Sequence, residues 1–480
     1  MQESLKRRTI SSLVWKLMER AGNQAVLLVV QIVMARVLSP DDFGLLAIIL
    51  VFINLATVFV QSGLGAALVQ NPTMSNEDCS TVFWISLGIS VVLVAALFFG
   101  APVIAAFYSN DSLCWPLRVL SATLVINSFN SVQVARVQRS LQFRKIFNAT
   151  VWSVCASGAL GIMAAVFGAG IWALVLQQLI YQLVNCAVLA FQERWAPRLQ
   201  FNAKRGKELF DFGWKILACN ILNQGYLGIY DLVIGAQFSA GQLGLVSQGK
   251  KYPSALGSML DGAIQPVMMS AVSRIQTKIE QVKRLTRRAL KTSTFVIAPC
   301  MMLFAVAAEP IVSILLGEKW LECVPFLQMY CFVYALLPIH SSNLSALSGL
   351  GRSDINLKLE IVKKCIGTLA LVIGAFVVRD VYVLVSMAML TGIIATMVNS
   401  WPNKRVIGYS YLEQIRDICP AFLLSAAAGA LAWVVGFAGF PDIATILLQA
   451  LVMAIAYLGL AKLFRVEELS YLLATAKEML

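Results

Sequence analysis

The apolar positions of this chain come in long unbroken runs. A stretch such as "WISLGISVVLVAALFFGAPVIAAF" (84–107) shows no period-two alternation, and so does not read as the strand of a membrane barrel. A helix that crosses the ~30 Å hydrocarbon core needs about 20 mostly apolar residues. Fourteen segments meet that requirement: 13–35, 43–68, 81–107, 114–134, 147–167, 170–191, 210–236, 250–272, 291–316, 323–348, 359–378, 381–400, 418–438 and 442–461. The predicted fold is therefore an all-α polytopic membrane protein with about 14 transmembrane helices. The connections are short, and the longest expected outside loop is 237–249. Two segments are amphipathic and are expected to lie on the membrane surface. One is 273–291, with Ile275, Ile279, Val282 and Ala289 on one face, and the other is the tail 462–480, with Val466, Leu469, Leu473 and Leu480.

Composition agrees. Hydrophobic residues make up 59% of the 480 residues and charged residues 13%, about half the charge density of a soluble domain. That excludes a soluble enzyme, and it excludes a disordered chain, which needs few apolar residues and many charges. The 38 basic residues outnumber the 25 acidic ones. With the N-terminus placed in the cytoplasm, 29 basic residues fall in the inside segments and only Arg36, Lys319 and Arg379 in the outside loops. The positive-inside rule then predicts both termini in the cytoplasm. The ten cysteines are scattered without metal-type spacing and read as small core residues. The one histidine, His340, reads as a packed or polar-network residue. The basic N-terminal segment lacks a cleavage-type small-residue motif, so the first helix is expected to be retained.

The chain also repeats itself. "ARVLSPDDFGLL" (35–46) corresponds to "GAQFSAGQLGLV" (235–246), pairing Ser39 with Ser239, Gly44 with Gly244 and Leu45 with Leu245. Trp15-Lys16 and Trp214-Lys215 open spans one and seven. Six spans separate the copies, which makes a parallel repeat, an arrangement found in transporters. The expected organisation is a six-helix bundle at 1–191, a second at 192–401, and two further helices with an amphipathic tail at 402–480.

Six bases are not accounted for by loops: Lys16, Arg20, Arg118, Lys215, Lys250 and Lys251. Acidic companions near or within spans include Glu19, Asp231, Asp261 and Glu309. Ionisable groups within spans are costly and usually face a bundle interior or a water-filled cavity. The alternative is snorkelling from span ends, which suits Lys215, Lys250 and Lys251. Polar residues form stripes: Lys16, Arg20, Asn23, Gln24 and Gln31 on span one; Asn220, Asn223, Gln224 and Asp231 on span seven; Lys250, Ser254, Ser258, Asp261 and Gln265 on span eight. Such stripes hold helices together through hydrogen bonds, or they line a shared hydrophilic cavity whose bases suit an anion.

The stretches "WKLMERAGNQ" (15–24), "ARVLSPDDFGLLAI" (35–48), "FVQSGLGAALVQ" (59–70), "LRVLS" (117–121), "RSLQFRKIF" (139–147), "FGWK" (212–215), "LGLVSQGKKYP" (243–253) and "LLGEKW" (315–320) resemble bacterial polysaccharide flippases of the multidrug/oligosaccharidyl-lipid/polysaccharide exporter superfamily. The resemblance implies two six-helix bundles around a cationic, water-filled cavity, with two extra helices. It implies an inner-membrane transporter, not an enzyme, that moves an undecaprenyl-diphosphate-linked repeat unit between leaflets for surface polysaccharide synthesis. On that reading the six bases hold the diphosphate, and Asn23, Gln24, Asn223, Gln224, Ser254 and Ser258 contact sugars. Glu19, Asp231 and Asp261 form ion pairs or couple to a proton or sodium gradient. No cofactor is expected; no Walker phosphate loop occurs in the sequence. Besides membrane lipids, the expected partners are the polysaccharide polymerase and chain-length machinery. A multidrug exporter of the same superfamily and a membrane enzyme of polysaccharide assembly are the alternative functions.

Overall fold

The computed structural model describes residues 26–61, 63–70, 74–140 and 142–479, all in helices and connecting turns without a strand. Eleven helical segments among the described residues are long and apolar enough to cross a membrane. The predicted segments at 210–236 and 250–272 are also helical, as Ala203–Gln237 and Ala240–Arg274, but fall outside those eleven. Each has 35 residues, about 52 Å of helix at 1.5 Å per residue, so length is not the obstacle. They carry the polar stripes, which dilute their apolar character. The first predicted span lies largely outside the described residues; its end forms the helix Val26–Val37.

The chain forms two compact units, Met1–Gly244 and Leu245–Leu480. The first holds α1 (Val26–Val37), α2 (Pro40–Gln61), α3 (Leu64–Gln70), α4 (Asn76–Phe107), α5 (Cys114–Ser121), α6 (Thr123–Arg139), α7 (Phe143–Val166), α8 (Ile171–Glu193), α9 (Ala203–Gln237) and the first turn of α10 (Ala240–Arg274). Membrane helices lack a hydrophobic drive to associate, so close approach at small residues must supply contact. Helix α7 shows this: Ala149, Ser153, Ser157, Gly161 and Ala165 recur every four residues, all buried. A Cβ at Gly161 would press on Gln177 of α8.

The repeated sequence segments meet within this unit. Ser39 and Ser239 each start a helix, the Ser39 hydroxyl accepting from the Asp42 amide (3.3 Å) and the Ser239 hydroxyl from the Gln242 amide (3.1 Å). A Cβ at Gly44 would coincide with the carbonyl of Ala240, and one at Gly244 with that of Pro40. The contact is reciprocal, position 44 on 240 and 244 on 40, as a two-fold relation between the copies requires. The cap at Ser239 also explains a difference from expectation. Residues 240–249 are not a loop but the opening turns of α10.

The second unit continues α10 and adds α11 (Ile279–Val306), α12 (Ala308–Leu315), α13 (Val324–Ala335), α14 (Leu337–Gly349), α15 (Ser353–Val372), α16 (Val381–Val406), α17 (Tyr411–Val435), α18 (Asp442–Leu463) and α19 (Glu467–Met479). The expected surface segment at 273–291 is instead, from Ile279 onward, the beginning of α11. No helix breaker interrupts it, and Val282, Thr286 and Leu290 are buried along it. The tail does form a separate amphipathic helix, α19, set off by a positive φ at Arg465 and packed through Val466, Leu469 and Leu472.

One end of the second unit is tied by a buried amide network. Asn343 of α14 and Gln414 of α17 exchange amide hydrogen bonds (2.8 and 3.0 Å), and Ser400 of α16 donates to the Gln414 oxygen (2.9 Å). Asn403 of α16 donates to Asn343. Beside them the Tyr409 hydroxyl donates to Asp417 (2.7 Å), which also takes a two-pronged Arg287 contact at 2.7 and 2.6 Å. Burial and the Asp417 carboxylate push the Tyr409 phenol far above its usual range. His340 lies 2.8 Å from the Asn399 amide, the polar-network role that the sequence predicts for it.

The glycine contact sets a testable asymmetry. Gly244→Ala must part the starts of α2 and α10 and should cost about 1–3 kcal/mol, the usual range for overpacking. Gly459→Ala on α18 adds a methyl into open space and should leave the thermal midpoint of the purified protein unchanged or slightly raised. Equal midpoints for the two variants would disprove the packing role.

Candidate functional site

The described polar stripe of the first unit leads into a cavity. Along α6, Asn127, Asn130, Ser131, Val134 and Gln138 fall on one side of the helix and line a pocket of about 240 Å³. Gln61, Gly63, Gly65 and Ala66 form another wall, and Ile216 and Asn220 of α9 a third. Gly63, at φ +66°, takes the left-handed turn that ends α2 before α3 begins. Its Cα would carry any Cβ into the carbonyl of Gly213, so α9 sits directly against this break.

The side chains are held from behind. The Asn127 amide reaches Thr57 of α2 (3.5 Å), and the Asn130 amide donates to Asn185 of α8 (3.1 Å). The Asn130 oxygen is buried without a hydrogen-bond partner among the described residues. Among the described residues, no charged side chain lines the pocket. Carboxamides and a hydroxyl offer donors and acceptors together, which matches hydroxyl or acetamido groups better than an ion.

The sequence-predicted residues divide into several groups. Lys16, Glu19, Arg20, Asn23 and Gln24 lie outside the described residues, as does the side chain of Asp261. On α9, Lys215, Asn223 and Gln224 are exposed and Asp231 is half-buried. Lys215 and Asn223 share a face, eight residues apart, and Asn220 between them enters the pocket. In the second unit Lys250 and Lys251 are half-buried on α10. The Lys250 ammonium lies 6.0 Å from the centre of the Tyr330 ring. The Ser254 hydroxyl donates to the Lys251 carbonyl (2.8 Å), and Ser258 is exposed. Gly249 and Gly257 seat the adjacent side of α10 against α13 and Leu337.

Arg118 has other company. Its Nε donates to the Phe98 carbonyl at 3.0 Å, and its guanidinium lies over the rings of Phe98 (4.6 Å) and Trp115 (5.0 Å). Phe98 stands four residues before Pro102 inside α4. Proline has no N–H, so that carbonyl loses its helical donor, and Arg118 supplies one. The second unit uses the same device: Pro299 inside α11 frees the carbonyl of Phe295, and the Tyr457 hydroxyl donates to it at 2.8 Å.

The sequence reading missed Gln61, Asn127, Asn130, Ser131 and Gln138. The pattern is present in the sequence, since Asn130 and Ser131 follow Asn127 by three and four positions and Gln138 follows Ser131 by seven, all on one side of the helix. None is charged, so this face stands out less than stripes that carry a Lys, Arg or Asp.

A family model described as "Polysaccharide biosynthesis protein" matches residues 33–325. The chain belongs to that polysaccharide biosynthesis family. Among its relatives, lipopolysaccharide biosynthesis protein WzxC of Escherichia coli is 27% identical, over 88% of this chain and 86% of its own. Teichuronic acid biosynthesis protein TuaB of Bacillus subtilis is 25% identical over 79% and 78%. Succinoglycan biosynthesis transport protein ExoT of Rhizobium meliloti is 24% identical over 75% and 73%. In fold, this member of the polysaccharide biosynthesis family is similar to the lipid II flippase MurJ, with a TM-score of 0.73 and 14% identity across 95% of this chain and 98% of that one. It is also similar to a multidrug resistance MATE family transporter of the MOP superfamily, with a TM-score of 0.60 and 14% identity across 81% and 98%. The fold is thus that of the superfamily to which the motifs pointed, in a multi-pass membrane protein.

The role of Arg118 is open to a rescue experiment. Arg118→Gln should lower stability by about 1–3 kcal/mol, the cost of leaving a carbonyl of a membrane-spanning helix without a donor. Pro102→Ala restores the helical N–H and should recover most of that loss in the double variant. A double variant no more stable than Arg118→Gln alone would refute the carbonyl-capping role.

Proposed function

We propose that this protein translocates a lipid-linked oligosaccharide across the bacterial inner membrane, as a step in making a surface polysaccharide. The observation that carries the reading is the carboxamide-lined pocket inside a membrane-embedded unit, with no charged side chain among its described lining residues. A drug cation gains little from such a lining, whereas a sugar finds both donors and acceptors there. Membership of the polysaccharide biosynthesis family supports it, as do relatives named for lipopolysaccharide, succinoglycan and teichuronic acid synthesis. The fold alone does not choose between substrates, because lipid II flippase and multidrug transporter share it.

In this reading Asn127, Asn130, Ser131 and Gln138 bind sugar hydroxyls or acetamido groups, together with Asn220 and Asn223. Lys215, Lys250 and Lys251, with Lys16 and Arg20, attract the diphosphate as point charges or bidentately. Gln24, Gln224, Ser254 and Ser258 extend the polar surface. The polyprenyl tail stays in lipid. Transport proceeds by alternating access of the two halves of the repeat, with both termini in the cytoplasm. A proton or sodium gradient drives it through Glu19, Asp231 or Asp261. No covalent step is required of the protein, and a polymerase with its chain-length machinery takes the product.

The test uses surface-polysaccharide export in cells that depend on this protein, with membrane insertion measured in parallel. Asn130→Leu, which keeps the side-chain volume and removes the amide, should reduce export about tenfold, the equivalent of one lost hydrogen bond of ~1.4 kcal/mol in the transport step. Lys215→Glu should abolish it. Normal export by both inserted variants rules out this reading.

A further inference from the structure

Two cavities of the second unit share residues and differ in chemistry. One, about 440 Å³, is lined by Arg284, Arg287, Arg288 and Lys291 of α11 and by Glu467, Glu468 and Tyr471 around α19. The other, about 630 Å³, runs between α17 and α18 along Pro420, Leu423, Leu424, Ala427, Leu460 and Phe464. Lys291, Glu467 and Glu468 border both. Arg416 stands at the mouth of the apolar groove, one turn before Pro420.

The charges do not cancel. Asp417 is engaged by Arg287 at 2.6 Å, and Glu468 and Glu467 by Lys291 at 2.7 and 3.4 Å. Arg284, Arg288 and Arg416 are exposed, and among the described residues none has a carboxylate within ion-pair distance. The Arg288 guanidinium is held 3.4 Å above the Tyr471 ring, which fixes its position beside the polar cavity. The five bases and three carboxylates around the two cavities leave a net charge of +2, with Arg284 and Arg288 in the polar cavity and Arg416 in the adjoining apolar groove, which complements a molecule with an anionic head and a hydrocarbon chain. Basic pockets between transmembrane helices bind anionic lipid headgroups in this way.

We infer that this place holds an anionic diacyl phospholipid, its phosphate among Arg284, Arg288 and Arg416 and one acyl chain along α17 and α18. The site involves none of the residues assigned to the transported substrate. The lipid closes the groove beside α19 and anchors that helix to the body of the unit.

Native mass spectrometry of the full chain in detergent provides the test, with phosphatidylglycerol and phosphatidylcholine of identical chains. Each basic residue near a lipid surface contributes about 1 kcal/mol, so phosphatidylglycerol should bind at least about tenfold tighter. Arg284→Gln, Arg288→Gln and Arg416→Gln together should remove that preference. Ala427→Trp, which fills the exposed groove and leaves every charge in place, should also weaken retention of the lipid, and it stands in if the triple variant fails to fold. Equal affinity for the two lipids overturns the inference, as does a preference that survives both variants. So does displacement of phosphatidylglycerol by inorganic phosphate at matched ionic strength, because a free-anion site needs no groove.

Discussion

Every polar group that enters hydrocarbon must find its partner inside the protein, and most of this structure follows from that requirement. The proline of α4 and the proline of α11 each remove a helical donor, and each freed carbonyl is met by a side chain from elsewhere in its own unit, Arg118 in one and Tyr457 in the other. The same rule assembles the carboxamide network of Asn343, Ser400, Asn403 and Gln414. It also gives the pocket of the first unit its meaning. There the carboxamides of Asn127 and Asn130 are held from behind by Thr57 and Asn185, which fixes the polar groups that line the cavity.

Without a hydrophobic drive between helices, shape must supply what remains. The small-residue ridge of α7 and the glycines of α10 let helices close to backbone contact. The crossing of Gly44 and Gly244 is the extreme case, because it brings two copies of one sequence motif together with no side chain between them. A serine cap and a glycine five residues later thus serve in each copy both as helix start and as joint.

Much of this was legible in the sequence, and the failures have physical causes. The helical spans follow from the length of apolar runs, which any bilayer protein must display. The repeat was readable because caps and close contacts constrain particular residue types. Boundaries moved where a local cap or an unbroken amphipathic face outweighed hydropathy: α10 starts at Ala240 behind Ser239, and α11 starts at Ile279. The pocket is less legible in the sequence, because a charge marks the polar face of a membrane helix most plainly and Asn127, Asn130 and Gln138 carry none. The contacts of Arg118 with the Phe98 carbonyl and the Phe98 and Trp115 rings answer a need that Pro102 creates, and that need is visible only when α4 and α5 are packed.

The proposed transport requires that the membrane-embedded unit handle a sugar-bearing lipid. The direct measurement is translocation in proteoliposomes that contain only the purified protein and a labelled polyprenyl-diphosphate oligosaccharide, scored by access of a sugar-modifying reagent from outside. The account predicts protein-dependent movement for the oligosaccharide-bearing lipid and little for polyprenyl diphosphate without the sugar. Equal movement of the two lipids, or movement of an organic cation in place of either, would contradict it.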